Sequence, residues 1–310
     1  MKYFIRYHLW CSLVWCFIFF IACAQASGQT PGTDVIETPA DDAEFSRILE
    51  YYSYDPDLSL DPVVFGEWPW RSPHTLYKLS YRSVREQRVP SFLAIPKQKQ
   101  DEPVPAVILM HGWNLFWGKN EDWVREWIPL LTASGRAVLA PDHFLYGERK
   151  VEGSGFDSGI NRGPYYYRDW MCQSVVDLRR GIDYLASRPD IDPERIAIFG
   201  GSLGGWIGSI LAGVDHRIKT AVLSVPATEF IREQTPAGRV VNSSNFFPRI
   251  SPTPLLMVLA KQDSKLRNDR ARALFELLKG KKKLIEYDEK HFLPPVLCKD
   301  DILQWLDENL

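Results

Sequence analysis

From Pro105 to the C-terminus, short apolar runs alternate with segments of helical apolar spacing, and this alternation limits the possible folds more than any other property of the chain. Ala106 to Met110, Ala137 to Ala140, Ile196 to Phe199, Thr220 to Ser224, Pro254 to Ala260 and Lys283 to Tyr287 read as strands. Asp122 to Ser134, Arg168 to Ser187, Asn268 to Leu278 and Asp300 to Leu310 read as helices. Strands separated by helices pair in parallel, because a crossover has room for a helix and a tight turn does not. The expectation is therefore an α/β fold with a mostly parallel, twisted sheet covered by helices on both faces. Ahead of it, Leu76 to Ser83 and Val89 to Ile95 flank the polar Arg85-Glu86-Gln87-Arg88 and predict an antiparallel hairpin. The segment with Pro62, Trp68, Pro69, Trp70 and Pro73 reads as irregular chain packed over the surface.

Within the alternating region, Gly200-Gly201-Ser202-Leu203-Gly204 joins the apolar run ending at Phe199 to a helical pattern over Trp206 to Ala212. Ser202 then sits on a strand-to-helix turn. Such an elbow holds a serine in a strained conformation with its hydroxyl exposed, and the glycines let strand and helix approach closely. A bare G-x-S-x-G is weak evidence; the strand and helix around it give it weight.

The first residues have a different character. Lys2 and Arg6 precede an apolar run from Leu9 to Ala22, and Ala24-Gln25-Ala26 offers a small-residue cleavage site, which predicts a secretory signal peptide over residues 1–26. The expectation is a secreted or periplasmic protein; because Phe20-Ile21-Ala22-Cys23 loosely matches a lipoprotein box, a protein lipid-anchored through Cys23 is the alternative. Residues 27–45 read as a flexible lead-in, and 46–310 as one domain. Setting the two leader cations aside from 37 Lys and Arg leaves a slightly acidic chain against 39 Asp and Glu, which implies neither nucleic acid nor an anionic membrane as partner. Of five cysteines, Cys11, Cys16 and Cys23 belong to the leader; Cys172 and Cys298 read as buried small hydrophobes, with pairing in an oxidising compartment as the alternative. No metal-ligand spacing is visible, and no cofactor is called for.

A serine hydroxyl becomes a nucleophile when an imidazole takes its proton, and the imidazole must be held by a carboxylate. Asp263 follows the apolar strand Leu255 to Ala260 at its carboxyl end, where open α/β sheets place reactive groups. His291 follows the next strand. The chain order Ser202, Asp263, His291 is the one that belongs to this architecture. Asp288 and Glu286 are alternative acids; His8, His74, His143 and His216 are poorer bases by position. For the oxyanion, the backbone N–H of Leu203 is one candidate donor and that of Trp113, after His111-Gly112, is the second. His111 is expected to fix that loop through hydrogen bonds.

Taken together, His111-Gly112, Pro141-Asp142 with Gly147-Glu148-Arg149, Arg188-Pro189-Asp190-Ile191-Asp192-Pro193-Glu194-Arg195, the elbow, Asp263 and His291 carry a resemblance. The segment from Tyr77 to Leu310 resembles the α/β-hydrolase superfamily, in the branch of dienelactone-hydrolase-like proteins and acetyl xylan esterases. The resemblance implies an ester hydrolase. Dienelactone hydrolases proper resemble this chain except for a cysteine nucleophile, so Ser202 points to ordinary ester hydrolysis.

Loops after the strands are rich in aromatics: Trp113, Phe116 and Trp117 in one, Phe156, Tyr165, Tyr166, Tyr167 and Trp170 in another. Trp117, Tyr165, Tyr166 and Trp170 are the candidate substrate contacts, since flat rings suit sugar faces or aromatic acyl groups. Residues 229–250 could form a small lid. Competing readings are a serine peptidase of prolyl-oligopeptidase type and a non-catalytic binding protein on the same fold.

Overall fold

The computed structural model describes residues 36–68, 73–97, 102–114, 116–151, 163–228 and 235–310. The leader, Cys23 and Phe156 lie outside the described residues. Among the described residues no helix is long and apolar enough to cross a membrane.

Nine strands form a single sheet: β1 (Val63–Trp68), β2 (His74–Arg82), β3 (Arg88–Pro96), β4 (Val104–Met110), β5 (Ala137–Pro141), β6 (Ile191–Gly201), β7 (Ile218–Ser224), β8 (Leu255–Ala260) and β9 (Lys282–Tyr287). Their order across the sheet is β1-β2-β3-β5-β4-β6-β7-β8-β9. The strands from β5 to β9 run parallel, and β1, β2 and β3 join them antiparallel. The expected hairpin is β2–β3, in register from His74 opposite Pro96 to Arg82 opposite Arg88. Its turn places Arg85 and Glu86 at φ of 54° and 56°, the signs of a turn that follows the right-handed strand twist. The parallel strands β4, β6, β7 and β8 are apolar on both faces because helices cover both.

The helices are α1 (Asp42–Glu50), α2 (Asp122–Ala133), α3 (Pro164–Ala186), α4 (Leu203–Val214), α5 (Pro236–Arg239), α6 (Asn268–Leu277) and α7 (Pro295–Asn309). Two cores result. One is built around Ile108, Met110, Ile198, Leu223 and Met257 with α3 and α4. The other is built around Val107, Leu109, Ala197, Phe199 and Val258 with α2 and α7. Alternate residues of each central strand divide between them, as a pleated strand requires.

Three sequence expectations need correction. The Pro- and Trp-rich segment contains a strand: β1 pairs with β2, with a register shift between Val64 and Gly66. Residues 36–45 are not a free lead-in, because Asp41 caps α1 by accepting from the Glu44 N–H, Phe45 is buried, and the Ala40 N–H donates to Asn245 Oδ1 at 2.7 Å. Residues 235–250 are no lid. Val241, Phe246, Phe247 and Ile250 are buried in the first core, and the Trp206 indole N–H donates to the Val241 carbonyl. Residues 229–234 of that expectation lie outside the described residues.

Candidate active site

The carboxyl ends of β4, β6, β8 and β9 converge on Ser202. Ser202 follows β6 at φ 52°, ψ −111°, a conformation that L-residues reach only under constraint, and it starts α4. The constraint is visible on both sides. The Ser202 N–H donates to the Ser224 carbonyl at 2.9 Å, and the Ser202 carbonyl accepts the Ala227 N–H at 2.9 Å. A Cβ on Gly200 would lie 2.2 Å from the Gly204 carbonyl oxygen, and one on Gly204 would lie 2.3 Å from that of Met110. Glycine is required there for the helix to pack against the strand ends. The first N–H of α4, from Leu203, lies at the positive end of the helix dipole beside the serine.

Asp263, past the end of β8, and His291, past the end of β9, meet the serine. His291 Nδ1–H donates to Asp263 Oδ2 at 2.7 Å, and the Ser202 hydroxyl donates to His291 Nε2 at 3.1 Å. The Asp263 side chain is fully buried, and its Oδ1 accepts the N–H groups of Lys265 at 2.8 Å and Leu266 at 3.1 Å. With one oxygen fixed by backbone, the other is aimed at the imidazole, which sets the ring tautomer. The alternative acids are occupied elsewhere: Glu286 accepts from Arg272 and Asp288 from Gln262. His74 is buried against Thr132, and His216 is exposed.

The loop after β4 lies across the elbow. A Cβ on Gly112 would stand 3.6 Å from Ser202 Cβ. His111 Nδ1–H donates to the Gly112 carbonyl at 2.8 Å, and the Asn114 N–H reaches the same oxygen at 2.9 Å. A trans peptide is planar, so fixing that carbonyl turns the Trp113 N–H to the opposite side. The Gly112 N–H is taken by Glu121 Oε1 at 2.8 Å, which leaves Gly112 out of the candidate oxyanion donors. His111 is held in turn by His143, whose N–H donates to His111 Nε2 at 3.1 Å and whose Nε2–H donates to the His111 carbonyl at 3.2 Å. Burial keeps both rings neutral: it pushes His111 down to about 4 and His143 well below the usual imidazole range.

Beneath the loop lies a buried ion pair that the sequence reading did not identify. Lys119 Nζ donates to Asp142 Oδ2 at 2.7 Å and to Glu148 Oε1 at 2.6 Å, and the Lys119 N–H donates to Asp142 Oδ1 at 2.8 Å. The side chains of Lys119 and Asp142 are wholly buried. Gly118 and Gly147 pack on this carboxylate so closely that a Cβ on either would lie within 2.3 Å of Asp142 Oδ1. Asp142 and Gly147 belong to the sequence motif; their partner Lys119 carries no such signal, since a lysine in a polar loop ordinarily reads as solvated.

The candidate substrate contacts separate. Trp117 is 62 % exposed on the Gly112 loop, and beside it Phe116 is 64 % exposed with Lys150 Nζ 3.3 Å from its ring centroid. Trp113 is also exposed and meets Tyr146 edge-on. Tyr165, exposed at the start of α3, and Tyr51 both pack on the Arg168 guanidinium; Tyr166 is half-buried against Tyr167. Trp170 is a correction. It is buried, with its ring tilted against Tyr146, and its indole N–H donates to the Phe144 carbonyl at 2.6 Å, because its position on α3 faces the core. Cys172 and Cys298 are both buried free thiols, as the hydrophobe reading expects. Among the described residues no group of three or more His, Cys, Asp or Glu could hold a metal ion.

Comparison with known proteins adds a family. The acetyl xylan esterase (AXE1) profile matches residues 37–237, more than half of the chain. The chain belongs to the acetyl xylan esterase family. YtaP of Bacillus subtilis (strain 168), a protein named for a hydrolase, is 32 % identical over 147 residues, 44 % of this chain and 48 % of that one. Acetyl esterase Axe7A of Xylanibacter ruminicola is 31 % identical over 94 residues, 30 % of this chain and 20 % of that one. The matched part of this family member thus spans half or less of these curated relatives. Among solved structures, the acetyl xylan esterase of Paenibacillus sp. R4 superposes with a TM-score of 0.73 at 20 % identity, covering 89 % of this chain and 98 % of that one. That likeness establishes the α/β-hydrolase fold for this acetyl xylan esterase family chain.

Proposed function

We propose that this chain is an exported serine esterase that removes acyl groups from carbohydrate esters. The observation that carries the reading is the unbroken hydrogen-bonded chain from Ser202 through His291 to Asp263 on a strained elbow. Ser202 attacks the ester carbonyl while His291 takes its proton, and Asp263 stabilises the imidazolium that forms. The carbonyl oxygen, now an oxyanion, is met by the N–H groups of Leu203 and Trp113. His291 returns the proton to the leaving alcohol, and water, activated by the same imidazole, releases the acid from the acyl-enzyme. The chemistry is complete without a cofactor.

Membership of the acetyl xylan esterase family supports an acetylated sugar as substrate, and the exposed rings of Trp113, Phe116 and Trp117 offer flat apolar surface beside the elbow. Tyr165 and Tyr166 extend the candidate surface. Residues 1–26 supply the export signal, with Cys23 as a lipid-anchor alternative, and 46–310 the catalytic domain.

The test is a panel of acetyl, feruloyl and glucuronoyl sugar esters beside simple nitrophenyl esters and an amino-acid amide, with Ser202→Ala as control. Preference for acetylated sugars, abolished in the control, supports the proposal. Cleavage of the amide alone favours the peptidase reading, and inertness towards every compound favours a binding protein.

A further inference from the structure

We infer that Glu121 is a positioning residue for ester hydrolysis: its carboxyl closes the loop that carries the Trp113 N–H and holds that loop against Ser202. The inference rests on the esterase reading above and concerns how its oxyanion donor is kept in place.

The loop from Gly112 to Glu121 leaves β4 and returns to the start of α2, with its two ends tied directly: the Gly112 N–H donates to Glu121 Oε1 at 2.8 Å. Between them the Gly118 N–H donates to the Asn114 carbonyl at 2.9 Å, the Asn120 N–H to the Trp117 carbonyl at 2.8 Å, and the Glu121 N–H to the Gly118 carbonyl at 3.1 Å. With its ends joined and these internal bonds made, the placement of the described loop residues is decided at their anchors. Lys119 anchors the far side through Asp142. Glu121 anchors the near side, next to the nucleophile.

The anchors act on the two peptides that meet at Gly112. The Gly112 carbonyl is held by His111 Nδ1–H and the Asn114 N–H, and the Gly112 N–H is held by Glu121. Gly112 has no side chain to restrict its dihedrals, so the hydrogen bonds on the two peptides that flank it, His111–Gly112 through its N–H and Gly112–Trp113 through its carbonyl, restrain the turn between them. Loss of the Glu121 bond frees the His111–Gly112 peptide, and through the unrestricted Gly112 dihedrals the next peptide can shift its Trp113 N–H away from the oxyanion position. An oxyanion donor works by being fixed before the reaction, and displacement costs turnover rather than ground-state binding.

A half-buried carboxyl is a costly way to satisfy one amide unless its position matters. Partial burial, and the neighbouring Asp122, push Glu121 up to about 7, so the folded chain keeps an acid at this position at some cost. Nothing in α2 needs the side chain for capping, since it makes no cap hydrogen bond with the helix.

The experiment compares Glu121→Leu and Glu121→Gln with the wild type and Ser202→Ala on nitrophenyl acetate, with urea unfolding alongside. Leucine fills the space without an acceptor; glutamine keeps an oxygen for the Gly112 N–H. The expected result is a fall in kcat of about 10- to 100-fold for Glu121→Leu with KM within about threefold, and a kcat for Glu121→Gln within about fivefold of wild type. The urea midpoint of Glu121→Leu stays at or above the wild-type value. A Glu121→Leu kcat within twofold of wild type, a Glu121→Gln variant as slow as Glu121→Leu, or a change confined to KM overturns the inference. If Ser202→Ala retains wild-type turnover, it is the underlying esterase reading that fails, whatever Glu121 does.

Discussion

Replacing Asp142 by asparagine leaves the shape of the loop anchor almost intact and removes its charge. In the wild type this carboxylate accepts from the Lys119 N–H, the Lys119 ammonium and the Glu148 N–H at 2.8, 2.7 and 3.1 Å. An asparagine has one acceptor oxygen, so its NH2 group must face a donor on one side. Lys119 keeps Glu148 as a partner, but its side chain is wholly buried while that of Glu148 is 38 % exposed, and solvent weakens what Glu148 can return. Removing one member of a buried pair costs about 3–5 kcal/mol because the other charge is stranded. At roughly 2–4 °C per kcal/mol for a domain of this size, the melting temperature should fall by about 6–20 °C. The assay is urea unfolding with a double-mutant cycle: Asp142→Asn, Lys119→Met and the Lys119→Met/Asp142→Asn pair. The double variant should recover much of the loss, since it leaves no buried charge stranded while the asparagine oxygen still accepts a backbone N–H. Glu148 tolerates this because Lys78 Nζ also pairs with it at 2.8 Å. If Asp142→Asn lies within about 1 kcal/mol of wild type, or if the losses simply add in the double variant, the stranded-charge reasoning is refuted.

Other consequences follow from the same contacts. Gly204→Ala forces a Cβ to within 2.3 Å of the Met110 carbonyl and should cost about 1–3 kcal/mol or more with a collapse in kcat, whereas Gly163→Ala, which meets nothing within 4 Å, should cost no more than about 1 kcal/mol by urea unfolding. His111 resists protonation until about pH 4, while an unfolded imidazole titrates near 6.5; its stabilising effect is whole above that value and drains as pH falls from 6.5 towards 4, by about 3 kcal/mol. His143 adds to the loss in the same direction, and Glu121, raised from 4.5 to about 7, opposes it by losing stability as pH rises through that window. His111→Asn should therefore flatten the fall in urea midpoint between pH 6.5 and 5; an unchanged slope contradicts it. Trp117→Ala should raise KM for acetylated xylooligosaccharides several-fold while leaving nitrophenyl acetate kinetics alone, and equal effects on both substrates would show that the exposed ring does not read the sugar.

The central parallel strands β4 to β8 were legible because they are largely buried on both faces and so read as apolar runs, bounded by polar turns. Ser202, Asp263 and His291 were legible for a related reason: chain order and strand ends fix where each side chain emerges, so three distant residues could be named before any distance was known. β1 was hidden because the prolines and tryptophans around it look like loop punctuation, and its pairing is supplied by β2 rather than by its own pattern. The start of α7 at Pro295 was missed by five residues because proline reads as a breaker although the first helical turn accepts it. Trp170 illustrates the limit of composition: an aromatic four residues from Tyr166 could face either way, and only the packing of Tyr146 and the Phe144 carbonyl decided it. Lys119 and Glu121 escaped because charged residues in a loop look solvated until a fold encloses them.

The most direct measurement is intact-mass and peptide mapping of the protein after exposure to a fluorophosphonate, in the wild type, Ser202→Ala and His291→Ala. The account expects one adduct, located on Ser202, absent from Ser202→Ala and formed several orders of magnitude more slowly in His291→Ala. An unmodified wild type, an adduct on a different residue, or a His291→Ala variant labelled at the wild-type rate would contradict it.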